Sequence, residues 1–78
     1  MILPMAPIMA KLEIVKVKEK TNDPSVHRHL VNLGFVEGAD IKVVSETNGN
    51  LIVLVKDSRV AIGKDLAKRI QVKIKGDE

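Results

Sequence analysis

The sequence predicts a small, mostly β domain, a mostly antiparallel barrel of about five short strands with two short helices. Three observations predict it. Apolar and polar residues alternate in several short runs, as they do along half-buried strands. An Asn-Gly pair separates two of these runs, which is a strong local signal for a hairpin. The apolar phase also shifts within the first run, which indicates a bulge of the kind that bends a sheet. The pattern leaves an open α+β sheet as the alternative.

The composition indicates one domain over residues 1–78 with a modest core. Valine, isoleucine and leucine dominate a hydrophobic fraction of 45%, and the chain has no cysteine. A chain of 78 residues buries a smaller share of its surface than a larger domain does. Without cysteine it can form neither a disulfide nor a thiolate metal site. The net charge of +3 is ordinary for a small soluble domain and identifies no acidic partner.

The first strand contains the phase shift. Leu12 and Ile14 alternate with charged residues, and Val15 and Val17 then continue the alternation one residue out of phase. A slip of one residue sends side chains to the opposite face of a strand. We therefore expect a bulge or a sharp bend between Ile14 and Val15.

An amphipathic helix is predicted at about 24–33. Asp23 fits the N-cap and Pro24 fits the first helical position, and an apolar stripe follows at Val26, Leu30 and Leu33. Gly34 then fits the position after the C-cap, where φ is positive, and an apolar residue follows that packs back on the last turn.

The second half of the chain predicts strands at 41–46, 51–56, 60–62 and 70–74. Asn48-Gly49 forms the first hairpin turn, and Asp57-Ser58-Arg59 forms a second tight turn. Residues 51–55 are apolar at every position, which predicts cover on both faces of that strand. A short helix at about 63–69 precedes the last strand, and residues 76–78 are expected to fray.

The first ten residues are apolar and contain Pro4 and Pro7. No basic residue precedes the apolar stretch, it is too short to span a bilayer as a helix, and the prolines interrupt a helix. We interpret residues 1–10 as an extended segment that covers one end of the core rather than as a signal peptide.

The sequence contains no pattern typical of catalysis or of a stable metal site. His27 and His29 are two residues apart, so on a helix they point in roughly opposite directions and cannot share an ion. Ser25 and Ser58 fit a helix start and a turn, and nothing links them or Ser45 to an oriented base. The glycines are spread through turns and form no phosphate-binding loop. We expect a non-enzymatic protein without a resident cofactor.

Nucleic-acid binding is the alternative that the residues themselves suggest. Lys16, Lys18 and Lys20 share one side of the first strand, and Lys73 and Lys75 share one side of the last. If these strands pair, the lysines form a stripe that could contact phosphates. Base stacking, however, needs aromatic side chains, and the single phenylalanine is expected in the core. A solvated strand edge guarded by lysines explains the same pattern.

Two blocks of the sequence resemble the FeoA family. The first is the pattern Arg-x-Leu-x-x-Leu-Gly-Phe-x-x-Gly, found here at Arg28, Leu30, Leu33, Gly34, Phe35 and Gly38. The second comprises Val60-Ala61-Ile62, Leu66-Ala67, Ile70 and Val72. FeoA sequences also have a glycine near the position of Ile8 or Met9, and this chain has none there.

The resemblance implies an SH3-like barrel and a cytoplasmic accessory protein of bacterial ferrous iron uptake. Such proteins act with FeoB, a membrane transporter that has a cytoplasmic GTPase domain. Related domains occur at the C-terminal end of DtxR-type metal-responsive repressors, whose DNA-binding part does not fit in this chain. The resemblance leaves weak or transient divalent metal binding open. It implies protein–protein contact rather than chemistry, and this contact cannot be of the polyproline type, because the chain lacks the aromatic residues of such grooves.

The predicted partner surface combines the end of the helix with the corner that follows it. Leu33, Phe35 and Val36 are its apolar residues, and Arg28 and Arg59 form its charged rim. For Leu33 and Phe35, burial in the core is the alternative interpretation.

Overall fold

Five strands form one antiparallel sheet in the computed structural model, which describes residues 1–18 and 24–75. After a 3-10 helix at Leu3–Met5, the elements are β1 (Leu12–Val17), α1 (Pro24–Leu33), β2 (Asp40–Thr47), β3 (Asn50–Val55), β4 (Ser58–Gly63), α2 (Lys64–Ala67) and β5 (Ile70–Ile74). The strand order is β4-β3-β2-β1-β5. The predicted mostly β class is confirmed. Helix α1 has the predicted bounds, and α2 is shorter than predicted.

Some sequence predictions concern parts of the chain outside the described residues. They are the N-cap at Asp23, Lys20 of the lysine stripe, and the tail at 76–78, together with the side chains of Val26 and His27.

Strand β1 contains the predicted bulge. Its register with β5 shifts between Ile14 and Lys16, so that Val15 is the additional residue. Leu12 and Ile14 are buried in the core, whereas Val15 is 45% exposed. A second bulge lies in β2, where the register with β3 shifts between Val43 and Ser45. The sequence analysis did not predict this second bulge.

Both hairpin turns have two residues in the left-handed region. In the β2–β3 turn Asn48 has φ 45° and Gly49 has φ 87°, and Thr47 pairs with Asn50. This confirms the predicted Asn-Gly hairpin. In the β3–β4 turn the two residues are Lys56 and Asp57, with φ 52° and 62°. This turn therefore begins one residue before the predicted one, and Ser58 and Arg59 belong to β4, because Val55 pairs directly with Ser58.

The core lies on one face of the sheet and contains mainly aliphatic side chains. From β3, Leu51, Val53 and Val55 are buried, while Ile52 and Leu54 on the other face are only half-buried. The prediction that residues 51–55 are covered on both faces was therefore wrong in degree. Leu3 of the 3-10 helix, Leu30 of α1 and Ala67 of α2 complete the core, and the second face of β3 has only partial cover.

The N-terminal segment contributes Leu3 to the core, as expected, but it also pairs with the edge of β5 and is not fully extended. The amide of Val72 donates to the Met1 carbonyl at 2.8 Å, and Ile2 bridges Gln71. Leu3 is completely buried. Pro4 is the second residue of the turn at Leu3–Met5, and its fixed φ suits the first turn of a helix. The sequence analysis treated this proline only as a helix breaker.

Among the described residues, no helix is long and apolar enough to cross a membrane.

Candidate partner interface

Helix α1 ends in a complete Schellman motif. The amide of Gly34 donates to the Val31 carbonyl at 3.0 Å, and the amide of Phe35 donates to the Leu30 carbonyl at 2.9 Å. Gly34 has φ 102°, a backbone conformation that residues with a Cβ atom rarely adopt. Phe35 and Leu30, the two residues that pack together in this motif, are both buried. The corner that the sequence predicted is thus present with its hydrogen bonds satisfied.

The corner is packed against the turn between β3 and β4. A Cβ atom on Gly34 would lie 3.0 Å from both Cγ and Cδ of Lys56 and 3.1 Å from Cγ2 of Val55. The aliphatic stem of Lys56 therefore crosses directly over Gly34. Glycine is needed here for two separate reasons, the positive φ and the close approach of another segment.

A second turn ties the corner to the bulge in β1. Gly38 has φ 87° and its amide donates to the Ile14 carbonyl at 2.7 Å, while the amide of Ile14 donates to the Ala39 carbonyl at 2.9 Å. Within the turn, the amide of Ala39 donates to the Val36 carbonyl at 3.1 Å. Val36 is therefore held in a short segment fixed at both ends.

The predicted partner residues divide between surface and core. Arg28 and Arg59 are exposed, and Val36 is 37% exposed between the two turns. Leu33 is half-buried and packs against the core. Phe35 is only 2% exposed, so it supports the corner from inside and presents no surface to a partner. For Phe35, the structure agrees with the alternative interpretation of the sequence, a core residue.

The lysine stripe forms only in part. Strands β1 and β5 do pair, and Lys16 lies opposite Gln71 while Lys73 lies opposite Glu13. Glu13 in turn lies opposite Asp40 of β2. Carboxylates therefore lie among the lysines here, and they oppose the binding of phosphates.

A row of basic residues crosses the sheet farther along. Lys42 lies opposite Leu54, and Leu54 lies opposite Arg59. Because Leu12 pairs with both Ile41 and Ile74, one step further along β1 places Lys11 beside Lys42 and Lys75. The amide of Lys75 donates to the Lys11 carbonyl at 2.9 Å, which continues the β1–β5 pairing by this step. We call these five residues the basic row: Lys75, Lys11, Lys42, Leu54 and Arg59.

An open groove of about 730 Å³ lies along the basic row from Lys75 to Leu54, and Arg59 lies outside it. Its charged lining comprises Lys11, Lys42, Lys56, Lys75, Asp40 and Asp57. Its apolar lining comprises Leu12, Ala39, Ile41 and Leu54. Four lysines against two aspartates leave an excess of two positive charges. We refer to it as the basic groove.

One ion pair crosses the basic groove. Nζ of Lys75 donates to Oδ1 of Asp40 at 2.6 Å. This hydrogen bond, together with the negative charge of Asp40 and to a smaller extent that of Glu13, raises the pKa of the Lys75 ammonium above its ordinary value of 10.5. Within the described part of the chain, Lys11, Lys42 and Lys56 make no ion pair.

The basic groove does not follow from the sequence pattern alone. An Asn-Gly hairpin without a bulge would place Val43 opposite Leu54. The bulge in β2 shifts the register by one residue, so that Lys42 takes this place. Alternation predicts which residues share a face, but it does not predict which residues of neighbouring strands are opposite when a bulge intervenes.

The described residues contain no group of three or more histidine, aspartate and glutamate side chains placed to hold a metal ion. His29 is exposed on α1. The expectations of no stable metal site, no cofactor and no catalytic activity stay predictions.

The comparison with known families decides the affiliation of the chain. The model of the FeoA domain matches residues 1–74. The chain belongs to the FeoA domain family. A curated relative from Methanocaldococcus jannaschii, named “Putative Fe(2+) transport protein A”, is 37% identical over 60 residues, which cover 77% of this chain and 73% of the relative. The suspected family is therefore confirmed.

Solved FeoA structures have the same fold. FeoA from Chlorobium tepidum covers the whole chain with a TM-score of 0.84 and 28% identity, and 74% of its own length is matched. FeoA from Stenotrophomonas maltophilia, solved in complex with zinc and described as a procaryotic SH3 domain protein, has a TM-score of 0.80 and 28% identity over 94% of this chain and 89% of its own. The SH3-like fold that the resemblance implied is confirmed.

The predicted relation to metal-responsive repressors also appears at the level of fold. IdeR from T. acidophilum matches 90% of this chain and 32% of its own length, with a TM-score of 0.74 and 24% identity. The FeoA fold thus recurs as one part of a longer repressor chain.

Proposed function

We propose that this protein is a cytoplasmic, non-enzymatic accessory of ferrous iron uptake that binds the cytoplasmic GTPase region of a FeoB-type transporter. The observation that carries the proposal is the family match over residues 1–74. The curated relative is named for Fe(2+) transport, and the S. maltophilia protein is described as a candidate activating factor of ferrous iron transport. The proposed contact needs no resident cofactor, since ferrous iron is the cargo of the transporter.

The proposed contact surface is the corner after α1. Its apolar residue is Val36, which is exposed and held between two hydrogen-bonded turns. Leu33 lies next to it, half-buried, and Arg28 is the charged residue of the rim on the helix. A fixed corner loses little conformational entropy when it binds, so even a small apolar contact can contribute to affinity.

Arg59 belongs to the same surface through the β3–β4 turn. Lys56, which begins that turn, packs on Gly34 at the corner, and Arg59 follows on β4 with its side chain exposed. Arginine is well suited to such a rim, because its guanidinium can form two hydrogen bonds with one carboxylate.

A protein of this kind can affect a GTPase only by binding its conformations with different affinity. The free energy it contributes to the switch cannot exceed the difference between its two binding free energies. We therefore expect its affinity for the GTPase region to depend on the bound nucleotide.

Amide shifts provide the test of this proposal. Labelled protein is titrated with the cytoplasmic GTPase region of the transporter from the same organism, once with GDP and once with a non-hydrolysable GTP analogue. We expect shifts confined to the corner, at residues 33–38, and to Arg28 and Arg59. Absence of shifts at high partner concentration with both nucleotides would contradict the proposal.

A further inference from the structure

The basic groove has no role in the corner contact, although the two are neighbours through Lys56. Its floor offers Leu54, a half-buried aliphatic side chain on the face of β3 away from the core. Lys42 is directly opposite Leu54 on β2, and Lys56, two residues after Leu54 in the chain, also lines the groove. An aliphatic contact is thus flanked by two positive charges.

We propose that the basic groove binds an extended peptide segment of a partner protein in which glutamate or aspartate residues flank an aliphatic side chain. The proposal rests on the proposed function only for the identity of the protein that carries this segment. The aliphatic side chain contacts Leu54, and the carboxylates approach Lys42 and Lys56, with Lys11 next along the groove.

The dimensions of the basic row suit a short extended segment. The residues of the row that line the groove lie on or next to four neighbouring strands about 4.8 Å apart, so their span is roughly 14 Å. An extended chain advances about 3.3 Å per residue, and roughly four residues therefore cover them. A site of this length can distinguish the pattern of charged and aliphatic residues in its ligand.

The two aspartates argue against a polyanion as the ligand. Asp40 and Asp57 lie among the lysines of the basic groove, and they repel a ligand that carries charge on every unit. A peptide with spaced carboxylates places its charges only opposite the lysines. Stacking of bases is also unsupported, because the one aromatic residue of the chain, Phe35, is buried.

The turn at the rim of the groove is strained in a way that serves the site. Lys56 and Asp57 both have positive φ without being glycine. Residues held in this region cost free energy and are found more often at functional sites. Here the stem of Lys56 lies over Gly34, and the residue also lines the groove.

The test uses two synthetic peptides of about eight residues and the full chain. One peptide alternates glutamate with leucine, and the other has glutamine in place of glutamate. The variant Lys42→Gln/Lys56→Gln removes two lysines of the groove. The control variant Lys16→Gln/Lys68→Gln removes two exposed lysines that do not line it. Thermal melting establishes that both variants are folded.

The expected result is binding of the glutamate peptide with amide shifts at Ala39, Ile41 and Leu54. The affinity should fall roughly tenfold in the groove variant, from the loss of two charge contacts, and stay within about twofold in the control variant. The glutamine peptide should bind as weakly as the glutamate peptide binds the groove variant.

Three results would overturn the proposal. They are no shifts with the glutamate peptide, an equal loss of affinity in both variants, or a stronger affinity of the groove for inorganic polyphosphate or a single-stranded oligonucleotide than for the peptide. The titration with the GTPase region is a separate readout. Corner shifts there with no peptide binding would reject the groove alone, and peptide binding without corner shifts would reject the proposed transporter partner alone.

Discussion

Gly34 combines two demands on a single residue. Its φ of 102° is unfavourable for residues with a Cβ atom, and an added Cβ would lie only 3.0–3.1 Å from atoms of Lys56 and Val55. We predict that Gly34→Ala lowers the free energy of unfolding by about 1–3 kcal/mol, measured by urea denaturation. Gly49→Ala is the matched control, because Gly49 has φ 87° and open space around the added Cβ. It should cost about 1 kcal/mol from the backbone alone. A loss for Gly34→Ala no larger than that of the control would contradict the packing of Lys56 on the corner.

Met9, unlike Gly34, is a residue with a side chain at a backbone conformation that favours glycine. It has φ 69° and its amide donates to the Val43 carbonyl at 2.7 Å, so the chain adopts a glycine-like conformation without glycine. The glycine that the resemblance leads us to expect near this position is absent, and Met9 adopts the positive φ itself.

Replacement of Met9 by glycine should therefore stabilise the protein. Met9 is 57% exposed, and little packing is lost. We predict that Met9→Gly raises the free energy of unfolding by about 1 kcal/mol relative to Met9→Ala, which removes the same contacts and keeps the unfavourable φ. The two variants are compared by thermal or urea unfolding. If Met9→Gly were less stable than Met9→Ala, the positive φ of Met9 would carry no strain in solution.

The ion pair of Lys75 and Asp40 gives a prediction for pH dependence. The pKa of Lys75 is raised in the folded protein by its hydrogen bond to Asp40. The stabilising contribution is therefore complete below the ordinary pKa of 10.5 and is lost as the pH rises through the folded pKa. Melting temperatures between pH 9 and pH 12 should fall more for the wild type than for Lys75→Gln. Identical profiles would show that the pair makes no contribution, as many exposed pairs do not.

At the scale of elements, the two hairpin turns differ in how well their residues suit the backbone conformation. Both place two residues at positive φ, but Asn48-Gly49 suits this geometry and Lys56-Asp57 does not. We predict that Asp57→Gly raises the free energy of unfolding by up to about 1 kcal/mol. Ser58→Gly, one residue later in the extended strand β4, should instead lower it. Urea denaturation distinguishes the two, and a destabilising Asp57→Gly would mean that the Asp57 side chain contributes more than its backbone strain costs.

The elements also show how far the sequence predicts the fold. Local signals were sufficient for α1, where Pro24 and Gly34 mark the ends, for the bulge at Val15, where the apolar phase shifts, and for the Asn-Gly hairpin. They were insufficient for the bulge in β2. Val43 and Val44 are adjacent and both aliphatic, so the sequence gives no sign of which one is the additional residue. Packing of Val43 with Val53 on the core face decides it.

At the scale of the whole molecule, local sequence patterns predicted the corner after α1. The packing of this corner against the sheet then determines which of its residues are exposed. For Leu33 and Phe35 the sequence left two interpretations open, a contact with a partner or burial in the core. Only the packing of the sheet against α1 separates the buried Phe35 from the exposed Val36. The basic groove depends on the register of four strand pairs, two of which contain a bulge. Such a surface cannot be derived from local spacing, because each bulge changes which residues are neighbours.

The proposed function requires that the corner after α1 binds the GTPase region of a ferrous iron transporter. The most direct test measures the affinity of that region, by calorimetry, for the wild type and two variants. Val36→Asp places a charge in the exposed apolar part of the corner. Met5→Asp makes the same kind of change at a residue that is 73% exposed on the N-terminal 3-10 helix. We predict that Val36→Asp weakens binding of the GTPase region at least tenfold, because it buries an unpaired charge at the contact. Met5→Asp should leave the affinity unchanged. Equal affinities for Val36→Asp and the wild type, with both variants folded, would contradict this proposal.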